Sequence, residues 1–329
     1  MEKKQDNLME ISDLTVRYNT DDAVVHAVNN FNLKLVRGEA RGLVGETGAG
    51  KTTLALSILR LLPERVGEVT GGSIVYDGQE LLNLPEAEML PLRGKRISMI
   101  FQDPMTSLNP TQTVGDQILE VLNLHFPEMT RDEKNKRVDE MMTLVGIPPQ
   151  RKQSFPHEFS GGMKQRVVIA MALVAEPELL LADEPTTALD VTIQAQILEL
   201  MKQLREKFNT SVMLITHDLG VVAQFCDSVS VVYAGRVVEY GPVEIVFQRK
   251  ENHPYTAGLF NCIPNLHDDQ PRLHPIAGHM ADPRVEYKGC CFADRCEYAT
   301  ERCRTEAPSM HVCGEHGILC HRYAEKEEF

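Results

Sequence analysis

Short apolar runs and amphipathic stretches follow one another along most of the chain. Leu8 to Tyr18 and Ala27 to Val36 alternate apolar and polar positions, the two-residue period of half-buried strands. Asn19 to Asp22 forms a polar turn between them. Ala40 to Val44 reads as a short buried strand, and Thr52 to Leu62 as an apolar helix. Gly71-Gly72 predicts a break, Ser73 to Tyr76 a strand, and Asp77-Gly78 a hairpin turn. The apolar run Ile97 to Phe101 leads into Asp103–Pro110, a predicted loop bracketed by prolines. Val114 to Leu124 and Arg131 to Val145 have helical periodicity, and Pro148-Pro149 closes that block. A helix over Lys164 to Val174, a buried strand from Leu179 and an amphipathic helix over Val191 to Phe208 come next. The buried strand Val212 to Thr216 and a hairpin of Ser230–Tyr233 and Arg236–Tyr240 across Ala234-Gly235 complete the series. Strands alternating with helices predict an α/β core, interrupted by a helical insert at about residues 103 to 158.

The chemistry starts at Gly45-Glu46-Thr47-Gly48-Ala49-Gly50-Lys51-Thr52, which fits G-x-x-x-x-G-K-[ST] between a strand and a helix. Glycines let the backbone aim N–H groups inward, and a helix N-terminus favours anions. Lys51 would hold the β- and γ-phosphates of a nucleoside triphosphate, and Thr52 would offer its hydroxyl to Mg²⁺. Asp183 and Glu184 end the apolar run Leu179–Ala182. Asp183 is placed as the second holder of Mg²⁺, and Glu184 as the group that polarises an attacking water. His217 ends the strand before it, where ligands bind in open α/β sheets, and can touch a γ-phosphate.

Three other positions are open on spacing alone. Tyr18 reads as a half-buried strand residue or as an aromatic stacking on a base. Gln102 reads as a surface residue or as a reach toward Mg²⁺ or water at a hinge. Ser160-Gly161-Gly162-Met163 reads as a well-capped helix start or as a second anion cradle, which would serve a neighbouring subunit.

Composition narrows the class. At 329 residues, 43% hydrophobic and 25% charged, the chain has room for one large domain and an appendage. A net charge of −13 argues against broad nucleic-acid binding. No stretch is apolar enough to span a bilayer, and no apolar signal core follows Met1, so a cytoplasmic location is expected.

Taken in order, these motifs over residues 8 to 250 resemble the ATP-binding cassette of ABC transporters. The resemblance implies a P-loop NTPase core with an antiparallel β subdomain and a helical insert. It assigns base stacking to Tyr18 and nucleotide binding to Gly45, Gly48, Gly50, Lys51, Thr52 and Thr53. Gln102 becomes a switch glutamine and Mg²⁺ holder, and His217 a switch histidine. Ser160, Gly161 and Gly162 become the signature that binds the γ-phosphate held by a partner cassette, and Ala188-Leu189-Asp190 the D-loop. A narrower resemblance, to the oligopeptide, dipeptide and nickel import ATPases, is carried by Phe101–Pro110, Pro185–Thr192 and His253-Pro254-Tyr255-Thr256. Met163, where the common signature has Gln, looks like one of two paired ATPases in that group. The group implies a second ATPase, two membrane permeases and an external binding protein, with this chain on the cytoplasmic membrane face. Peptides are the first expected cargo and nickel the second. A soluble ABC ATPase acting on nucleic acid would need a basic surface or tandem cassettes, and a non-hydrolysing binding module would not need Glu184 and His217.

Residues 1–250 are thus expected to form the cassette and 251–329 a small cysteine-rich C-terminal extension. Six of the eight cysteines lie from Cys290 to Cys320. In a reducing compartment such a cluster reads as a metal site. Cys290, Cys296, Cys303 and Cys320 lack the paired C-x₂-C knuckles of zinc sites, and four thiolates can hold an iron–sulfur cluster. The extension resembles the tail of the same importers, where a [4Fe–4S] cluster sometimes occurs. Zn²⁺ and free thiols are the alternatives, and Cys291 or Cys313 could substitute as ligands. Cys226 and Cys262 are expected as buried apolar residues.

Overall fold

The computed structural model describes residues 6–187, 189–248, 251–262 and 275–324. Its strands are β1 (Asn7–Asn19), β2 (Val24–Val36), β3 (Ala40–Val44), β4 (Gly67–Tyr76), β5 (Gln79–Glu80), β6 (Ile97–Ile100), β7 (Leu179–Asp183), β8 (Ser211–Thr216), β9 (Ser228–Tyr233), β10 (Arg236–Pro242), β11 (Met310–Cys313) and β12 (His316–Leu319). The fold is α/β with an antiparallel sheet, and the chain packs as two compact units.

One unit takes in Leu35–Ala40 and Asn83–Ile215. Strands β6, β7 and β8 run parallel, with Ile97 opposite Leu179 and Leu179 opposite Ser211. Every residue of β7 and β8 is buried, which explains their apolar runs Leu179–Ala182 and Val212–Ile215. The helices Val114–His125, Arg131–Leu144, Gly161–Leu173 and Val191–Phe208 belong to this unit. Each starts at a residue whose side chain accepts a backbone N–H: Thr113, Thr130, Ser160 and Asp190. Thr130 and Glu133 form a reciprocal capping box, so this helix starts where the periodicity begins. Asn209, at φ 50°, ends the last of them in the left-handed conformation. Arg96 and Arg37 both grip Glu178, at 2.7 and 2.9 Å, and the Arg96 hydrogen bond leads in holding that carboxyl below its usual range.

The other unit takes in Met9–Lys34, Arg41–Leu82 and the described residues from Thr216 onward. It contains the antiparallel sheet, in the order β2-β1-β4-β5. It also contains β3, parallel to β9, after which β10, β12 and β11 follow in antiparallel pairs. Both predicted hairpins form. Asp77 and Gly78 have φ of 49° and 78°, and Ala234 and Gly235 have 48° and 74°, the paired positive values of a tight two-residue turn. Among the described residues no helix is long and apolar enough to cross a membrane.

Four local differences from the sequence reading have physical causes. Gly71-Gly72 does not break the chain, because β4 already begins at Gly67. The pair sits at a register shift against Thr15, and a Cβ on Gly72 would lie 2.5 Å from the Leu14 backbone. It is a bulge where two backbones meet. The helix expected to reach Leu62 spans Lys51–Ile58, and Arg60 at φ 53° turns the chain away. The loop after Gln102 contains one helical turn, Pro104–Ser107, where the Ser107 hydroxyl donates to the Asp103 carbonyl at 2.7 Å. Cys262 is half-buried rather than buried, because it caps the C-terminal end of the helix Pro254–Asn261.

The C-terminal residues do more than append. β12 pairs with β10, setting Ile318 opposite Glu239. Glu239 is fully buried, and its carboxylate accepts hydrogen bonds from Asn252 Nδ2 at 3.0 Å and the His253 backbone N–H at 2.9 Å. His316 Nε2 lies 2.7 Å from the same carboxylate. A buried carboxylate deprived of a partner is strongly destabilising. His316→Ala should therefore lower unfolding stability by about 3 kcal/mol, measured by chemical denaturation. A change within error would remove this pair from the account of how the C-terminal strands are held.

Candidate functional site

The phosphate loop follows β3, whose last residue is Val44, and ends where the helix Lys51–Ile58 begins. Its glycines are required by close approach. A Cβ on Gly45 would lie 2.1 Å from the Val232 carbonyl oxygen, and one on Gly50 2.2 Å from that of Ala27. Gly48 and Gly50 also have φ of 85° and 95°, where other residues are strained. Lys51 is buried, and its ammonium donates to the carbonyls of Gly45 at 2.6 Å and Glu46 at 3.0 Å. Thr52 is exposed at the first turn of the helix. The Tyr18 hydroxyl donates to Thr53 Oγ1 at 3.2 Å, which puts the aromatic beside the start of that helix. His217 is exposed directly after β8, and Asp218 caps the helix Leu219–Phe225 behind it.

The acidic residues belong to the other unit. Asp183, 2% exposed, is the last residue of β7. Glu184 has left the strand with φ 47°, a sparsely populated conformation for a non-glycine residue and one that concentrates at functional sites. Its backbone N–H donates to the Ile215 carbonyl at 2.8 Å. Its carboxylate accepts from Thr187 Oγ1 at 2.8 Å and from Gln102 Nε2 at 3.2 Å. The structure thus brings together Gln102 and Glu184, 82 residues apart in sequence. Ser160 caps the signature helix by accepting from the Met163 N–H at 3.4 Å. A Cβ on Gly162 would meet Ile193 Cγ2 at 2.6 Å, so this glycine allows two helices to approach. Of the expected D-loop, Ala188 lies outside the described residues, and Asp190 caps the helix Val191–Phe208.

Cys290, Cys296, Cys303 and Cys320 line one small cavity, with His253, Phe292 and Arg322 also in its wall. Cys291 and Cys313 do not line it. The Cys291 thiol turns to the Tyr233 carbonyl at 3.9 Å. Burial pushes the Cys290 thiol up to about 12 and raises those of Cys296 and Cys320, so metal binding would have to release these protons. Among the described residues no three His, Cys, Asp or Glu side chains are arranged to hold a metal ion.

Arg295, Tyr255 and Tyr233 also stand at the phosphate loop. Arg295 forms a two-pronged bond to Glu46, at 2.7 and 3.1 Å, and Tyr255 accepts the Glu46 N–H at 2.9 Å. No local spacing signals contacts across more than 200 residues.

A glycine-bound phosphate loop, strand-end acids and a glycine-started helix define a P-loop nucleoside triphosphatase. The comparisons take the class further. The family described as "ABC transporter" matches residues 28–187, and "Oligopeptide/dipeptide transporter, C-terminal region" matches residues 238–303. The oligopeptide transport ATP-binding protein OppD of Haemophilus influenzae is 47% identical over 98% of both chains. OppD of Bacillus subtilis is 48% identical over 98% of this chain and 91% of its own. The ATP-binding cassette MJ0796, in a post-hydrolysis dimer bound to ADP and Pi, superposes with TM-score 0.64 at 28% identity, covering 71% of this chain and 98% of that one. The chain belongs to the ATP-binding proteins of ABC transporters, in the oligopeptide and dipeptide branch, and it hydrolyses ATP.

Gly45→Ala should cost about a hundredfold in kcat/KM for ATP, the scale of a misplacement of about 1 Å. Steady-state phosphate release on a variant with unchanged circular dichroism measures it. Near-normal turnover would mean that the backbone approach at Val232 does not set the loop.

Proposed function

We propose that this chain is the ATP-hydrolysing subunit that energises import of peptides across the cytoplasmic membrane. The observation that carries the reading is the near full-length identity to proteins named for oligopeptide transport, which includes the C-terminal region. The chain sits peripherally on the cytoplasmic face, with a second, similar ATPase, two membrane permeases and an external binding protein. Residues 1–250 form the cassette and 251–329 its extension.

In the proposed reaction Lys51 and the loop N–H groups neutralise the β- and γ-phosphates while Tyr18 stacks on the base. Thr52, Gln102 and Asp183 would each offer an oxygen to Mg²⁺, which would supply further charge neutralisation at the phosphates. Glu184, held by Thr187 and Gln102, orients the attacking water and takes its proton. His217 steadies the γ-phosphate. Ser160, Gly161 and Gly162 contact the ATP held by a partner cassette, and the helical insert passes cassette closure to the permeases.

We further propose that Cys290, Cys296, Cys303 and Cys320 hold a [4Fe–4S] cluster, with Zn²⁺ as the other metal the thiols could take. Support comes from their common cavity and from the donor chemistry. The role is structural, since ATP hydrolysis needs no electrons.

Glu184→Gln should still bind ATP but turn it over at least about a hundredfold more slowly, the scale of losing a general base. Retained phosphate release would take Glu184 out of that role. Cys296→Ser should bleach the brown colour expected of anaerobically purified protein. Colourless wild type with stoichiometric zinc would contradict the iron–sulfur assignment.

A further inference from the structure

The phosphate loop carries a negative side chain where it must receive a polyanion. Glu46 is its second residue, and an uncompensated carboxylate there would repel the triphosphate and drift with solvent. The structure fixes every polar group of Glu46. Its N–H donates to the Tyr255 hydroxyl at 2.9 Å. Its carbonyl accepts from Lys51 Nζ at 3.0 Å and from the Ala49 N–H at 3.1 Å. Its carboxylate accepts from both terminal nitrogens of Arg295, at 2.7 and 3.1 Å.

Arg295 is built to stay there. Its side chain is 5% exposed. Its guanidinium lies 5.7 Å from the Tyr233 ring and 5.9 Å from the Phe292 ring, within cation–π range. Its Nε donates to the Ala277 carbonyl at 3.1 Å. Tyr233, Tyr255 and Phe292 contact one another with ring centroids 4.7 to 5.5 Å apart, so the fork cannot swing without repacking three aromatics. Planarity matters here as well as charge, because lysine cannot make the two parallel bonds.

We propose that Arg295 is a positioning residue of the ATP site: it neutralises Glu46 and, with Tyr255, holds the first half of the phosphate loop in its phosphate-receiving shape. The C-terminal segment thereby sets the affinity of the loop for ATP. Arg295 acts through Glu46. It stands one residue before Cys296, so the segment that lines the cysteine cavity also carries the loop's counter-charge.

The test uses full-length protein, with steady-state ATP hydrolysis and equilibrium binding of a fluorescent ATP analogue. Arg295→Ala should raise KM and Kd for ATP about tenfold while kcat changes less than about threefold, because the interaction acts on binding rather than on the water. Arg295→Lys, which keeps the charge and loses the fork, should fall between wild type and Arg295→Ala. The deciding variant is Arg295→Ala/Glu46→Gln. Removing the orphaned carboxylate should recover at least about half of the lost affinity on a logarithmic scale, a sign of coupling between the two sites. A merely structural role for Arg295 would leave the double variant no better than the single. That result, or unchanged Kd in Arg295→Ala, overturns the proposal. Should Arg295→Ala fail to fold, Arg295→Lys decides through its own Kd, and wild-type affinity there overturns the proposal. Lys51→Ala must lose nucleotide in every case. Wild type that bound none would overturn the ATP-site assignment itself, whereas wild-type binding indifferent to Arg295 overturns the Arg295 assignment alone.

Discussion

The phosphate loop is a cradle because backbone meets backbone at Gly45 and Gly50. There the carbonyls of Val232 and Ala27 occupy the space any side chain would need. This approach closes the loop onto β9 and β2, buries Ala49 and turns Lys51 inward. A loop open to solvent would present the same N–H groups, but to water. The hairpin that follows β9, turned by Ala234 and Gly235, belongs to the same constraint, since the Gly235 N–H donates to the Ala49 carbonyl at 3.0 Å. Elements more than 180 residues downstream thus shape a motif that looks local in sequence.

The placement of the two acids depends on a different device. β7 is buried on both faces and delivers Asp183 at its end, still in the strand. Glu184 then breaks into a positive φ, and this redirects its carboxylate to Gln102 and Thr187. A strained residue persists only when its surroundings hold it. Here the backbone bond to Ile215 and the two side-chain donors do so. Two adjacent carboxylates are therefore held differently, one by the strand and one by the turn.

Much of this was legible in the sequence. Both tight hairpins, the strand that ends in Asp183 and the long helix Val191–Phe208 each rest on local periodicity or a local turn signal, and each forms where predicted. The four cysteines named as ligands are the four that share a cavity, although they are not arranged as a ready metal site. What escaped was non-local. Gly71-Gly72 looks like a break because the β1 backbone it approaches is invisible in a local window. The strands β11 and β12 are four residues each and too short for periodicity to register. The contact of Arg295 with the phosphate loop has no local signal, since its partner Glu46 lies 249 positions earlier.

ATP hydrolysis by this chain energises peptide import. The most direct measurement is phosphate release in liposomes that hold this chain with the proposed permeases and second ATPase, with the proposed external binding protein supplied on the opposite face, with and without peptide. Hydrolysis should rise with peptide-loaded binding protein, be lost in Glu184→Gln, and accompany peptide accumulation. Hydrolysis indifferent to peptide and binding protein, in vesicles that retain both permeases, would contradict it.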